Sequence, residues 1–322
     1  MKIFFKELLI EIWDVSYTLF KLMIPTIIVV KILESLGFLE YFALVLGPIM
    51  HWVGLPESMG IVWATTILTN IYAGMLVFFY AQQAETLTVA QVTVLCILML
   101  FAHGLPVEAR IAQQAGIRLR FTLLLRVGGG LVLAWILNKL YLEFDYLQEV
   151  NQLSWQPEPA DTSLLGWAKG QIESLIMIQI IIAGLLFALK ILKLLGIEKL
   201  MGYMLSPLLR MLGISRQATT ITIVGFTLGI SFGGGLLINE ARQGHVSRRD
   251  IFASMSLLAL CHSMIEDTIL MLLLGADFAG VFWARIIFSF IVIAILTRVM
   301  DLLPARVWDK HLTNKHIQPG KS

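Results

Sequence analysis

Two histidines carry the strongest chemical signal in the chain. His103 stands in Ala102-His-Gly-Leu-Pro-Val-Glu108 and His262 in Cys261-His-Ser-Met-Ile-Glu-Asp267, 159 residues apart. Each is followed within five residues by a carboxylate. Glu108 and Asp267 are equivalent, and Glu266 is extra. An imidazole beside carboxylates can bind a polar solute, pass a proton or hold a cation. With Glu266 and Asp267, the two histidines also make a plausible donor set for a divalent metal. The plainer reading of one such histidine is a hydrogen bond between packed helices. A pair in equivalent positions favours a site. Glu108 has a second reading, an ion pair with nearby Arg110.

Further polar groups fall where glycine interrupts apolar sequence. Thr69-Asn-Ile-Tyr-Ala-Gly74 offers Thr69 and Asn70, and Gly229-Ile-Ser-Phe-Gly-Gly-Gly235 offers Ser231 beside Gly233 and Gly234. Hydroxyls and an amide next to glycine suit hydrogen bonding to a multi-atom solute, because glycine lets another group approach the backbone. Arg126 and Arg285 form another equivalent pair. They either bind an anion or, the favoured reading, snorkel or anchor a hairpin through its exposed carbonyls. No hydrolase, zincin or phosphate-loop signature is present, and the 233–235 glycines lack the lysine that would hold a phosphate. The chain reads as no enzyme.

The elements that position these residues are membrane helices. Of 322 residues, 58% are hydrophobic and 14% charged, against roughly 25% charged in a soluble domain. Several stretches reach or approach the ~20 apolar residues of a crossing: 17–33, 122–137, 175–195 and 281–299. Basic residues are scattered singly and the net charge is +2, so nucleic acid is not a partner. Cys96 and Cys261 both lie in apolar segments and read as packing residues.

The histidine spacing is one instance of a repeat. The same 159-residue shift pairs Lys31–Gly37 with Lys190–Gly196, Pro48 with Pro207, Gly54 with Gly213, Gly116 with Gly275 and Arg126 with Arg285. Cytoplasmic loops collect Lys and Arg. In the first copy 37–58 and 82–90 have none, while 110–120 has three. In the second copy 196–217 and 241–249 have three each, and 269–279 has none. Equivalent loops therefore face opposite sides, and the repeats are inverted. The acidic connection 142–168, with no Lys or Arg, is extracytoplasmic, and both termini are cytoplasmic.

Residues 55–82 begin and end on one side, 214–241 on the other. Both are too short for two crossings, so each is a re-entrant hairpin. The expected fold is an all-α membrane protein of two inverted-topology repeats. Each repeat has spanning helices, a surface helix (39–53 and 198–212), a re-entrant hairpin and a broken helix. The first break is expected over 103–106, where Pro106 lacks an amide donor. The units are an amphipathic surface helix at 1–15, repeat one at 16–141, the linker at 142–168, repeat two at 169–300 and a tail at 301–322. Six crossings and two hairpins result.

The Gly-rich hairpin Gly225–Gly235, the run Ile238-Asn-Glu-Ala241 and the break Cys261–Asp267 resemble the nucleoside-recognition or "gate" domain family of membrane proteins. That family is shared with concentrative nucleoside transporters and the membrane part of the ferrous-iron transporter. The resemblance covers about 31–300 as two gate units, and implies solute binding at mid-membrane between hairpins and broken helices. The extra scaffold helices and the GTPase domain of those transporters are absent from the sequence.

The expectation is a secondary transporter in a bacterial inner membrane for a small polar metabolite, nucleoside-like or an organic acid. No cofactor is expected, unless a coupling cation, proton or sodium, is counted as one. Thr69, Asn70, Ser231, Gly233, Gly234, His103 and His262 would bind the substrate, and Glu108, Glu266 and Asp267 would carry the cation or proton. One alternative is a divalent-metal permease with His103, His262, Glu266 and Asp267 as ligands. Another is a non-transporting accessory or ligand-sensing subunit. The partners are the solute and the lipid bilayer, and a homo-oligomer is open.

Overall fold

The structure is a computed structural model that describes residues 2–36, 38–153, 164–243, 246–304 and 307–313. Among them there are helices and isolated bridges but no strand, as a bilayer without water requires of backbone groups. The first half contains α1 (Lys2–Ser35), α2 (Phe38–Trp52), α3 (Met59–Leu68), α4 (Ile71–Ala84), α5 (Val89–Phe101), α6 (Leu105–Gln114), α7 (Leu119–Leu123) and α8 (Gly129–Glu143). The second contains α9 (Leu164–Leu194), α10 (Ile197–Met211), α11 (Arg216–Leu228), α12 (Ile230–Gln243), α13 (Arg248–Leu260), α14 (Met264–Leu273) and α15 (Arg285–Leu302). Short π-helical turns occupy Leu124–Gly128, Ala279–Ala284 and Trp308–Leu312.

Both ends of α2, α4, α5 and α6 recur 159 residues later in α10, α12, α13 and α14. Left-handed backbone recurs with them: Gly54 and Gly213 have φ of 80° and 74°, and Gly116 and Gly275 have 99° and 88°. By length and composition, four helices among the described residues can cross a membrane: 119–143, 165–192, 248–273 and 279–302. The pair α5 and α6, bent by 42°, makes a fifth if counted as one span.

The two broken helices, α5–α6 and α13–α14, lie side by side and antiparallel. At one end Asn151 of the connecting segment donates its amide to Leu87 O at 2.8 Å and its side-chain Nδ2 to Leu274 O at 3.0 Å. It thereby joins the start of α5 to the end of α14. At the other end Thr313 ties the end of α6 to the start of α13. Arg118 Nε donates to Thr313 O at 3.2 Å and Arg248 Nη2 to Thr313 Oγ1 at 2.7 Å. Each hairpin packs on the break of its own half. Gly104 N donates to Thr66 O at 3.0 Å, and Gly229 lies against Ser263.

The structure differs from the sequence reading in three places. Residues 1–15 are not a separate helix, because α1 runs unbroken to Ser35. At roughly 1.5 Å per residue it is far longer than a ~30 Å hydrocarbon layer. The first break spans 102–104, not 103–106. Pro106 sits in the first turn of α6, where its missing N–H costs nothing. The connection between halves is shorter than 142–168, since α8 continues through Glu143 and α9 starts at Leu164.

The antiparallel arrangement predicts opposite accessibility for Glu143 and Leu302, equivalent exposed residues at the ends of α8 and α15. On a background lacking Cys96 and Cys261, Glu143→Cys should react with an impermeant thiol reagent on intact spheroplasts. Leu302→Cys should react only after permeabilisation. Equal labelling in intact cells would contradict the inversion.

Candidate functional site

His103 and His262 meet at the point where the two broken helices cross. Their rings are 7% and 2% exposed, and their Nε2 atoms are 3.1 Å apart. Each is held by its own helix end. His103 Nδ1 bonds Met99 O at 3.0 Å, and His262 Nδ1 bonds Leu258 O at 2.6 Å. A carbonyl only accepts, so both Nδ1 atoms carry hydrogen, and in the neutral ring each Nε2 presents a lone pair. Glu108 Oε1 joins them, 3.3 Å from His103 Nε2 and 3.4 Å from His262 Nε2. With neutral rings and an ionised Glu108, three acceptors converge with no hydrogen among them. Such a triangle repels itself unless a cation, a proton or a metal ion, sits within it.

Arginines hold this centre from behind. Where α5 and α13 end, the turn deprives their last carbonyls of the amides that would continue the helix. Arg126 Nε donates to Phe101 O at 2.7 Å, and Arg285 Nε to Leu260 O at 3.2 Å. Both guanidiniums are fully buried, and each meets a carboxylate: Arg126 pairs with Glu108, and Arg285 Nη2 lies 3.5 Å from Asp267 Oδ2. Arg285 Nη2 also donates to His262 O at 3.0 Å. Arg126 lies within one π-helical turn and Arg285 directly follows another, an irregularity that often marks a functional position. The expected snorkelling or hairpin-anchoring role is thus corrected: the arginines cap the helix breaks. The suggested Glu108–Arg110 pair is replaced too, since Arg110 turns to Gln113.

The remaining expected residues divide. Glu266 accepts from Tyr72 Oη at 3.0 Å, so the first hairpin reaches the second half's broken helix. Asn70 caps α4 through Oδ1, which accepts from Ala73 N at 2.9 Å. Its Nδ2 is buried with no partner in the protein, a donor available to a ligand. Thr69 Oγ1 is spent on its own helix, donating to Thr65 O at 2.6 Å. Ser231 stands in α12, and its side chain lies outside the described residues. Gly233 and Gly234 are packing positions. A Cβ at Gly233 would lie 2.7 Å from the backbone nitrogen of Gly225, and one at Gly234 would lie 2.6 Å from Ile111 Cγ2. They let α12 press against α11 and α6. Sequence reasoning missed Tyr72. The available signal was its place two residues after Asn70, matching Ser231 in the repeat.

Removing a buried arginine should be severe. Arg126→Ala strands Glu108 and Phe101 O and should cost about 3–5 kcal/mol in unfolding experiments in detergent micelles. Adding Glu108→Ala should recover part of that loss, because the two residues share one interaction. Gly233→Ala should cost about 1–3 kcal/mol by overpacking. Gly184→Ala, with nothing within 4 Å of the new methyl, should instead stabilise α9 by about 0.5–1 kcal/mol.

Residues 16–118 match the family described as "Gate: Nucleoside recognition". The chain is also similar to the uncharacterized membrane protein YvoD of Bacillus subtilis. The two are 24% identical over 266 residues, 82% of this chain and 84% of that protein. No solved structure matches. The family match covers the histidine, break and hairpin of the first half but not the equivalent second half. The chain is thus a membrane protein of several apolar helices that is similar, over residues 16–118, to the nucleoside-recognition Gate family.

Proposed function

We propose that this protein is a secondary transporter for a small polar metabolite, nucleoside-like or an organic acid, in a bacterial inner membrane with both termini cytoplasmic. The observation that carries the reading is the convergence of His103 Nε2, His262 Nε2 and Glu108 Oε1 at the crossing of two antiparallel broken helices. A cation-demanding centre between two halves is what coupling requires, because its occupancy can favour one packing of the halves over another. Ionisable groups are costly inside a bilayer and mark ion pathways when present. The solute would bind between the first hairpin and α14, where Asn70 Nδ2, Tyr72 and Glu266 supply a donor, a hydroxyl and a carboxylate. Thr69, Ser231, Gly233 and Gly234 would shape the hairpins around it. The second half, from α9 to α15, would act as an inverted second gate unit.

The same convergence favours a second reading, a divalent-metal permease in which the cation is itself the cargo. The two differ in what moves.

Proteoliposomes loaded under an imposed proton or sodium gradient should take up solute from a panel of nucleosides and small organic acids. Uptake should cease when the gradient is collapsed. Asn70→Ala should raise KM by about tenfold, the loss of one buried hydrogen bond. Glu266→Gln should uncouple uptake from the gradient while solute binding persists. Gradient-driven uptake of none of the panel, with metal ions entering instead, would favour the permease.

A further inference from the structure

We infer that the crossing point is a divalent transition-metal site, with His103 Nε2, His262 Nε2 and Glu108 Oε1 as three ligands and Asp267 in reach as a fourth. The inference rests on reading the crossing as the cation-handling centre and names the class of cation. Three sides of the donor triangle measure 3.1, 3.3 and 3.4 Å. Ligands bound at about 2.0–2.1 Å in a tetrahedral zinc-type site are separated by roughly 3.3 Å. The triangle therefore has the size of one face of such a tetrahedron. The nearest ligand atoms of His103, His262 and Asp267 all lie within 4.8 Å of one another, so a carboxylate oxygen of Asp267 stands close to both imidazoles.

The surroundings fit the same assignment. A metal-bound imidazole characteristically donates its other N–H to a carbonyl or carboxylate, which fixes its tautomer and its direction. Both histidines do so, to Met99 O and Leu258 O. Glu108 gives one oxygen to Arg126 and keeps the other toward the histidines, and Asp267 is gripped by Arg285 through Oδ2. Arg126 thus holds Glu108 in place without occupying the oxygen that faces the centre, and Arg285 lies beside Asp267 in the same way that Arg126 lies beside Glu108. Two imidazoles with carboxylates suit zinc, iron, cobalt or manganese. Magnesium and calcium prefer all-oxygen surroundings and are disfavoured here. The ligands come from both halves of the chain, so the site exists only when the two broken helices are crossed.

Cobalt(II) titrated into full-length protein in detergent gives a direct test. Saturable binding near one ion per chain is expected, with the intense visible absorption of a low-symmetry, near-tetrahedral ion. Magnesium should not compete. X-ray absorption of the loaded wild-type protein should show two imidazoles in the first shell at about 2.0–2.1 Å, a measurement that needs no variant. His103→Gln and His262→Gln should each weaken binding by more than about tenfold, while His51→Gln, an exposed histidine on α2, should leave it unchanged. Folded wild-type protein that binds no cobalt or zinc, or binds it without imidazole ligands, overturns the assignment. Gradient-driven uptake of an organic solute by that same metal-free protein would leave the transporter reading standing while the metal site falls. A metal site without any solute uptake would do the reverse.

Discussion

A helix that stops inside a membrane leaves carbonyls with neither amide nor water to bond them, and the rest of this structure follows from how that problem is met. Phe101 O and Leu260 O are the orphaned acceptors, and Arg126 and Arg285 reach them through Nε. A guanidinium solves the hydrogen-bonding problem at the cost of a buried charge, which then needs a carboxylate of its own. Glu108 and Asp267 supply it from the first turn of the next half-helix. That placement sets a carboxylate oxygen beside the histidine on the preceding turn. The polar centre is thus assembled from the repair of two broken helices, and its geometry is as rigid as those repairs.

The two halves share this scheme and depart from it where a solute would sit. At the hairpin crossing, Gly74 packs on Thr66, while the equivalent Gly233 packs on Gly225. At the break, Gly104 and Pro106 are replaced by Ser263 and Ile265, so a serine takes the left-handed backbone at φ 46°. That conformation costs a non-glycine residue about 1–2 kcal/mol. Tyr72 and Glu266 bond each other, whereas their equivalents are Ser231 and Val107. The histidine pair lies on the relation between the halves, since each ring touches its own counterpart. The Tyr72–Glu266 pair lies off it. The histidine pair is therefore a near-symmetric feature of the two halves, and the Tyr72–Glu266 bond an asymmetric one.

Much of this was legible in the sequence, and the reasons are physical. Helices in lipid must be apolar and unbroken, so residues that violate either rule stand out. His103, His262, Glu108, Asp267, Arg126 and Arg285 were visible for that reason, as was the first break at its glycine, although Pro106 lies just beyond it in α6. The partners of the arginines were not visible, because they are backbone carbonyls and leave no trace in residue type. The Tyr72–Glu266 bond spans 194 residues, and only the packed arrangement brings it together. The continuity of α1 was missed because charges at 2, 6, 7, 11 and 14 suggest a surface helix without saying where it stops. The packing role of Gly233 and Gly234 was not visible either, because the neighbours they admit, Gly225 of α11 and Ile111 of α6, are brought to them only by the fold.

The antiparallel crossing also brings four helix ends to one place. α5 and α13 arrive with their C-termini, and α6 and α14 depart with their N-termini. Each end carries a partial charge of about half an electron from the aligned peptide dipoles, negative at the C-termini and positive at the N-termini. Two of each sign nearly cancel, so the backbone contributes a quadrupole with little net charge. The side chains complement every end: arginines on the carbonyl termini, and Glu108, Glu266 and Asp267 in the first turns of the amide termini. The field an ion meets at the crossing is therefore set by a handful of side chains rather than by the fold. The same backbone, with one carboxylate or imidazole exchanged, could present a centre of different sign and serve a different ion.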